Sequence, residues 1–356
     1  MAVFLENMGV TELESCGIIK KDSDCPPGQF SFGRKPGKET RKLLENLLFS
    51  INMSLPLFVL LGMGVYLRKK EVFTDDYVSR TTSLVYHYML PAKMFLDVSA
   101  IDLTAAFDPK YMSVAAICIV FEFLLAWVLG NVLCREKSKQ SAVAHACYRG
   151  NFMYLGIALL QNIYGSEIVA SAAVIIVLVV PLYNISGVLL MTVKESRDGF
   201  HPGRILLGVL KNPIVLSILV ALPFAYFQIE LPFLVTKSLG YLKSATSTMA
   251  LLAVGASIKL STIREDWKLL TKIASVKLIL MPAIAAVMAV LAHLTAEQTV
   301  TLTVVCAMPA AINVFIVTDK MGGDGKVAGS AVVVTHLLSL FTMTALVFVL
   351  KTVGMI

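Results

Sequence analysis

Two apolar stretches carry residues that could recognise an anion. The first reads Ala144-His-Ala-Cys-Tyr-Arg-Gly-Asn-Phe-Met-Tyr-Leu-Gly-Ile-Ala158, with Arg149, Gly150 and Asn151 inside one helical turn. The second reads Cys306-Ala-Met-Pro-Ala-Ala-Ile-Asn-Val-Phe-Ile-Val-Thr318, with Pro309 and Asn313 four residues apart. A guanidinium inside an apolar segment costs several kcal/mol, and its planar fork matches a carboxylate. Gly and Pro interrupt the helical ladder and free N–H and C=O groups, which are tolerated only where protein or a water-filled cavity surrounds them. The half-helices so made point positive N-terminal ends at the break, and those ends favour anions. Arg149, Asn151, Pro309 and Asn313 therefore form the candidate substrate site. Two other roles stay open. Arg149 could snorkel to an interface or pair with an acid, and the two asparagines could satisfy the unwound backbone instead of a ligand.

Other polar residues in apolar surroundings have coupling or structural roles open to them. Lys93 and Asp97 are four apart, the spacing of an ion pair on one helix. Glu122 has no local partner, so proton coupling competes with pairing to Arg149 or Lys277. His145 and His336 read as structural imidazoles, and Asn184 as an interhelical hydrogen bond. No CxxC or HExxH occurs, and the six cysteines lack metal spacing. The string GGDGK departs from the phosphate-loop pattern GxxxxGK[ST]. No catalysis, cofactor or metal is expected. An ATP-driven pump is disfavoured, as is an exchanger of the adjacent-aspartate kind.

The elements that must hold these residues are membrane helices. Of 356 residues 57% are hydrophobic and only 15% charged, against roughly 25% charged in soluble domains. A core of this size cannot bury so much apolar surface. Runs near 20 residues, enough to cross about 30 Å of hydrocarbon, fall at 48–67, 77–97, 111–134, 141–163, 168–193, 205–227, 233–258, 269–292, 298–319 and 327–350. The net charge of +7 lies entirely after residue 47, in short groups between these runs, which suits membrane topology and not nucleic acid. Lys/Arg in the loops around 68–70, 135–139, 194–204, 259–268 and 320–326 number fourteen, against Lys110 and Lys351 on the other side. That bias sets the first side in the cytoplasm and both termini outside. Residues 1–44 are a polar extension without signal-peptide character, expected to lie outside the fold even though their basic residues oppose the orientation.

The chain also repeats at an offset of 157. Pro56 matches Pro213, Ile101 matches Ile258, Leu103 matches Leu260, and Gly165 matches Gly322. Five spans per half is an odd number, so the halves enter the membrane from opposite sides, as in secondary transporters built from inverted repeats. The expected domains are a first repeat over 45–200 and a second over 201–356.

The strings YRGNFMYLGIALLQNIYG (148–165) and AMPAAINVFIVTDKMGGDGKVAGSAVVVTHLLSL (307–340) resemble the auxin efflux carrier family in its bacterial form. LPAKMFLDVS (90–99), KNPIVLSILVALPF (211–224) and TSTMALLAVGASI (246–258) match in kind. The resemblance implies an all-α protein of ten transmembrane helices in a five-plus-five inverted repeat. Helices one, two, six and seven would be a scaffold, and helices four and nine would cross as broken helices near Asn151 and Pro309/Asn313. It further implies elevator-type transport of a small organic anion, such as malate, malonate or an auxin-like acid, by a homodimer in the plasma membrane. One departure concerns the break in helix four. Where the family often has Gly-X-Pro, this chain has Gly156-Ile-Ala, so the break must rest on Gly150 and Gly156. A sodium-coupled symporter of the bile-acid type, with Glu122 and the asparagines holding the ion, is the alternative, and a membrane sensor ranks last. Protons and sodium are the candidate coupling ions.

Overall fold

The computed structural model describes residues 55–101, 108–165, 168–196, 201–258 and 260–356. The extension 1–44, the start of the first span and Leu103 lie outside them. Among the described residues every regular element is helical, with one isolated antiparallel bridge between Gly150 and Ala310.

The helices follow from capping and proline placement. Helix α1 covers 55–69. Thr74 caps α2, whose first turn carries Asp75 and Asp76 against the positive helix end. Helix α2 runs through Asp75–Leu84, a π turn at Val85–Met89, and Leu90–Ser99. The π turn closes with the Leu90 N–H bonded to the Val85 carbonyl, just ahead of Pro91, which has no N–H to give the ladder. Helix α3, Pro109–Leu133, starts from the Asp108 cap. Helix α4 is in two pieces: α4a, Lys137–Tyr148, and α4b, a π turn at Phe152–Gly156 continuing into Ile157–Tyr164. Helix α5 is Ile168–Lys194.

Helix α6 departs from expectation. The apolar run 205–227 predicts one helix, yet the chain forms α6a, Pro202–Leu210, and α6b, Pro213–Phe227, bent by 67°. Pro213 cannot donate to the ladder, and the Asn212 side chain accepts the Ile214 N–H and so starts a new helix. Hydropathy is blind to such a break because the residues on both sides of it are apolar.

Helix α7, Phe233–Ser257, is followed by a short helix, Leu260–Glu265. Helix α8, Trp267–Leu291, repeats the device of α2, with a π turn at Val276–Leu280 before Pro282. A capping box of Thr295 and Gln298 opens α9a, Ala296–Ala307. After the break come α9b, Asn313–Lys320, and α10, Gly325–Thr352, capped by Asp324. By length and composition α3, α8 and α10 can each cross a membrane, and the bent pair α6a/α6b is a fourth. Helix α2 carries Lys93 and Asp97 within its run, and α4 and α9 are broken.

Two apolar clusters organise the packing. One joins Ile119, Phe123, Tyr148, Val304 and Met308 from α3, α4a and the α9 region, with Ala285 of α8 and Val332 of α10. The other joins α1, α2, α6b and α7 to α9b through Leu61, Met89, Ile218, Leu251 and Phe315. Helices α1 and α7 meet backbone to backbone. A Cβ added at Gly64 would stand 3.0 Å from the Ala256 nitrogen, and one at Gly255 would stand 3.1 Å from the Leu61 Cα. Small residues permit this approach where lipid supplies no hydrophobic drive. Gly255→Val forces the two helices apart and is expected to cost roughly 1–3 kcal/mol, measured as a lowered thermal midpoint of the detergent-purified protein. An unchanged midpoint would show that the contact is dispensable.

Candidate functional site

At Arg149–Asn151 and at Met308–Ile312 the chain leaves helical geometry, and the two breaks lie against each other. The Asn151 N–H donates to the Pro309 carbonyl at 2.8 Å, and the Ala311 N–H donates to the Arg149 carbonyl at 3.0 Å. This two-bond ladder is the Gly150–Ala310 bridge. Glycine suits position 150, since a Cβ there would crowd the Val305 carbonyl at 3.0 Å and the Lys277 Nζ at 3.3 Å. The break in α4 thus falls at Gly150, while Gly156 closes the π turn, where a Cβ would collide with the Phe152 ring.

Three more of the freed backbone groups are met by side chains. Lys277, fully buried in the π turn of α8, donates to the Tyr148 carbonyl at 2.9 Å and to the Cys306 carbonyl at 2.8 Å. These carbonyls belong to the last turns of α4a and α9a, where a cation complements the helix dipole. The Ala310 N–H donates to Thr335 Oγ1 at 3.1 Å, and that hydroxyl donates on to the Ala331 carbonyl of α10. Glu122 is also fully buried on this side, but it makes no ion pair with Lys277, and both of its carboxyl oxygens are without a hydrogen-bond partner among the described residues. Its carboxylate lies with the Cys118 and Cys306 thiols, all three ligand atoms within 4.8 Å of one another.

On the other side of the crossing lies a cavity of about 60 Å³ whose wall includes Arg149, Gly150, Asn151, Asn184, Ala311 and Asn313, together with Lys93 and Asp97. Arg149 is 3% exposed. Its Nη2 donates to Asn184 Oδ1 at 2.6 Å and its Nη1 to His145 Nε2 at 3.3 Å. Because guanidinium only donates, His145 Nε2 must accept, which leaves Nδ1–H to donate to Thr318 Oγ1 at 3.1 Å. Asn184 is itself held by donating to the Val180 carbonyl. Gly187 of α5 makes room for the guanidinium, as a Cβ there would come within 3.1 Å of Nη1. Among the described residues no carboxylate lies within ion-pair distance of Arg149. Both partners of this buried cation are neutral.

Asn151 donates from Nδ2 to His336 Nε2 at 3.4 Å, and His336 is fixed by its Nδ1–H on the Val332 carbonyl. Asn151 and Asn313 stand at the N-terminal starts of α4b and α9b, and both line the cavity. Pro309 does not; it contributes its carbonyl to the bridge. Lys93 and Asp97 form a buried ion pair at 2.7 Å, and Lys243 of α7 joins Asp97 at 2.6 Å. Glu122 is separate from the cavity wall and belongs to the Lys277 side. Sequence reasoning overlooked Lys243, Thr335 and the clamping role of Lys277. The sequence signal for Lys277 was a lone cation inside an apolar run, the same kind that marks Arg149.

The family described as membrane transport protein matches residues 49–347. The chain belongs to that family, the auxin efflux carriers. Its relatives include the uncharacterized transporter YfdV of Escherichia coli, 24% identical over 318 residues that cover 86% of this chain and 100% of that protein. The uncharacterized transporter MJ1031 of Methanocaldococcus jannaschii is 20% identical over 83% of this chain and 97% of its own length. A provisionally named malonate transporter of Rhizobium meliloti is 24% identical over 83% of this chain and 94% of its own. The chain is therefore a member of a membrane transporter family, and its apolar helices are those of a membrane protein.

The clamp sets an expectation for stability. Lys277→Met leaves two buried helix-terminal carbonyls without their donor and removes the nearby opposite charge from Glu122, a class of change worth about 1–3 kcal/mol for each group left unsatisfied. Thermal unfolding of the purified variant is expected to show that loss, and adding Glu122→Gln is expected to recover part of it. A double variant as unstable as the sum of the two singles would disprove that coupling.

Proposed function

We propose that this chain is a secondary transporter that moves a small organic anion across the plasma membrane, with Arg149, Asn151 and Asn313 contacting the substrate and Pro309 shaping the break. The observation that carries the proposal is Arg149: a buried guanidinium at a cavity wall, hydrogen-bonded only to neutral groups. A buried cation without a counter-ion is costly, and a carboxylate entering the cavity removes that cost. The starts of α4b and α9b add partial positive charge on the same wall. At about 60 Å³, and with a water needing roughly 10–15 Å³ by the same measure, the cavity suits a malonate-sized acid better than a bulky aromatic one. The relative named for malonate agrees in substrate class.

The transport cycle proposed is elevator-like, in ten crossings arranged as inverted halves, with both termini outside and a homodimeric assembly. Element spacing supports the repeat. Adding 157 to Pro109–Leu133 gives 266–290, against Trp267–Leu291 for α8. The same shift takes Ile168–Lys194 to 325–351, against Gly325–Thr352 for α10. Gly165 and Gly322, again 157 apart, both take positive φ, 82° and 95°, just after the broken helices end. In this reading residues 1–44 stand apart from the two repeats.

The sodium-coupled alternative is less well supported. A sodium ion at the crossing would use the unwound carbonyls, and those of Tyr148 and Cys306 are already held by the Lys277 ammonium. Glu122 and Asp97, both buried, are then the candidates for coupling to protons. In proteoliposomes, Arg149→Ala is expected to lower malonate uptake at least about 100-fold, the scale of a lost charge-assisted pair, while the variant still purifies as a folded monodisperse protein. Retained uptake would remove Arg149 from the site. Replacing sodium by choline is expected to leave wild-type uptake unchanged, and a loss of uptake would favour the sodium reading.

A further inference from the structure

The far side of the crossing holds a group of side chains that neither the clamp nor the anion cavity uses. Cys118 and Glu122 stand four apart on α3, which places both on one face of that helix. Cys306 comes to them from the last turn of α9a. The two thiols and the carboxylate keep their ligand atoms within 4.8 Å of one another, and all three residues are fully buried. Both Glu122 carboxyl oxygens lack a hydrogen-bond partner among the described residues. Glutamate is almost never fully buried unless it is paired or coordinates a metal.

We propose that Cys118, Glu122 and Cys306 form a binding site for a zinc ion, which ties α3 to the end of α9a beside the break. The donor atoms select the ion. Thiols do not suit magnesium or calcium, which take oxygen ligands, and a carboxylate beside two thiolates suits zinc better than copper(I). Three protein ligands leave the fourth place of a tetrahedron to water. Drawing the atoms in by about 1 Å gives the separations that Zn–S bonds near 2.3 Å and a Zn–O bond of about 2.0–2.2 Å require. The charges also close. Without the ion, two neutral thiols and the Glu122 carboxylate stand near the Lys277 ammonium, and the group sums to zero. Zinc enters as both thiols release their protons. The ion, two thiolates, the carboxylate and the ammonium then sum to zero again, so binding adds no net charge to an apolar interior, where uncompensated charge is expensive. The cysteines alone show no metal spacing, because one ligand is a glutamate and another belongs to a different helix.

The test titrates cadmium and zinc into the reduced full chain in nanodiscs, with Cys16→Ser and Cys25→Ser removing the two thiols of the polar extension. One cadmium per chain is expected, seen as a thiolate-to-metal charge-transfer band in the ultraviolet, with two protons released per ion. Cys118→Ser and Cys306→Ser should each weaken binding at least about 100-fold and Glu122→Gln at least about tenfold, since partners outside a ligand set already cost 10–100-fold. Cys147→Ser, which removes a buried thiol outside the trio, should bind as before. X-ray absorption of the zinc-bound protein needs none of the ligand variants: two sulfur neighbours near 2.3 Å and lighter atoms at about 2.0–2.2 Å are expected. A shell of nitrogen and oxygen alone would overturn the proposal. So would the absence of a charge-transfer band, or undiminished binding in any of the three ligand variants.

Discussion

Breaking two helices inside an apolar interior leaves backbone N–H and C=O groups that hydrocarbon cannot satisfy, and the rest of the structure is arranged around meeting that demand. The two breaks answer each other through the Asn151–Pro309 and Ala311–Arg149 bonds. Thr335 takes the Ala310 N–H, and Lys277 takes a carbonyl from each of α4a and α9a. One buried ammonium thus fastens helices from both parts of the chain to α8. Three helices, α4a, α8 and α9a, meet at a single charged residue. Gly150 lets the two breaks approach here, since a Cβ would crowd both the Val305 carbonyl and that ammonium.

The same demand separates two kinds of buried cation. Lys277 faces two helix C-termini, and its charge serves the packing. Arg149 lies on the opposite side of the crossing, where the helix N-termini of α4b and α9b already favour negative charge. Its partners, Asn184 and His145, orient the guanidinium without neutralising it. The contrast explains why one arginine and two helix starts make an anion site, while an equally buried lysine across the crossing does not. The direction of the broken helices therefore decides which side of the crossing is polar toward a ligand.

Two of the proline placements contrast. In α2 and α8, Pro91 and Pro282 each follow a π turn, and the helix continues. In α6 and α9, Pro213 and Pro309 coincide with full breaks. The difference lies in what receives the freed groups. A π turn shifts the hydrogen bond by one residue within the same helix, whereas a break needs an outside partner. Asn212 supplies it for α6b, and the opposing backbone of the α4 break supplies it for α9.

Much of this molecule is legible in one dimension. Hydropathy marks the helices because a membrane-length apolar run has few other fates, and α2, α3, α5, α7, α8 and α10 fall within about two residues of the runs at both ends. Arg149, Gly150, Asn151, Pro309 and Asn313 are conspicuous because charge and helix breakers are costly in such runs. Lys93 and Asp97 are a visible pair because each has its partner one turn away. Other contacts have no local signature and exist only once the helices are packed. Lys277 clamps carbonyls 129 and 29 residues distant, and Asn184 receives Arg149 from 35 residues away. Lys243 shares Asp97 from another helix. Hydropathy and spacing describe how a helix meets its solvent, and they hold no information about which neighbour it meets. The residue order therefore sets where most of the helices run and break, and the packing of those helices settles which cation is structural and which is left open to a ligand.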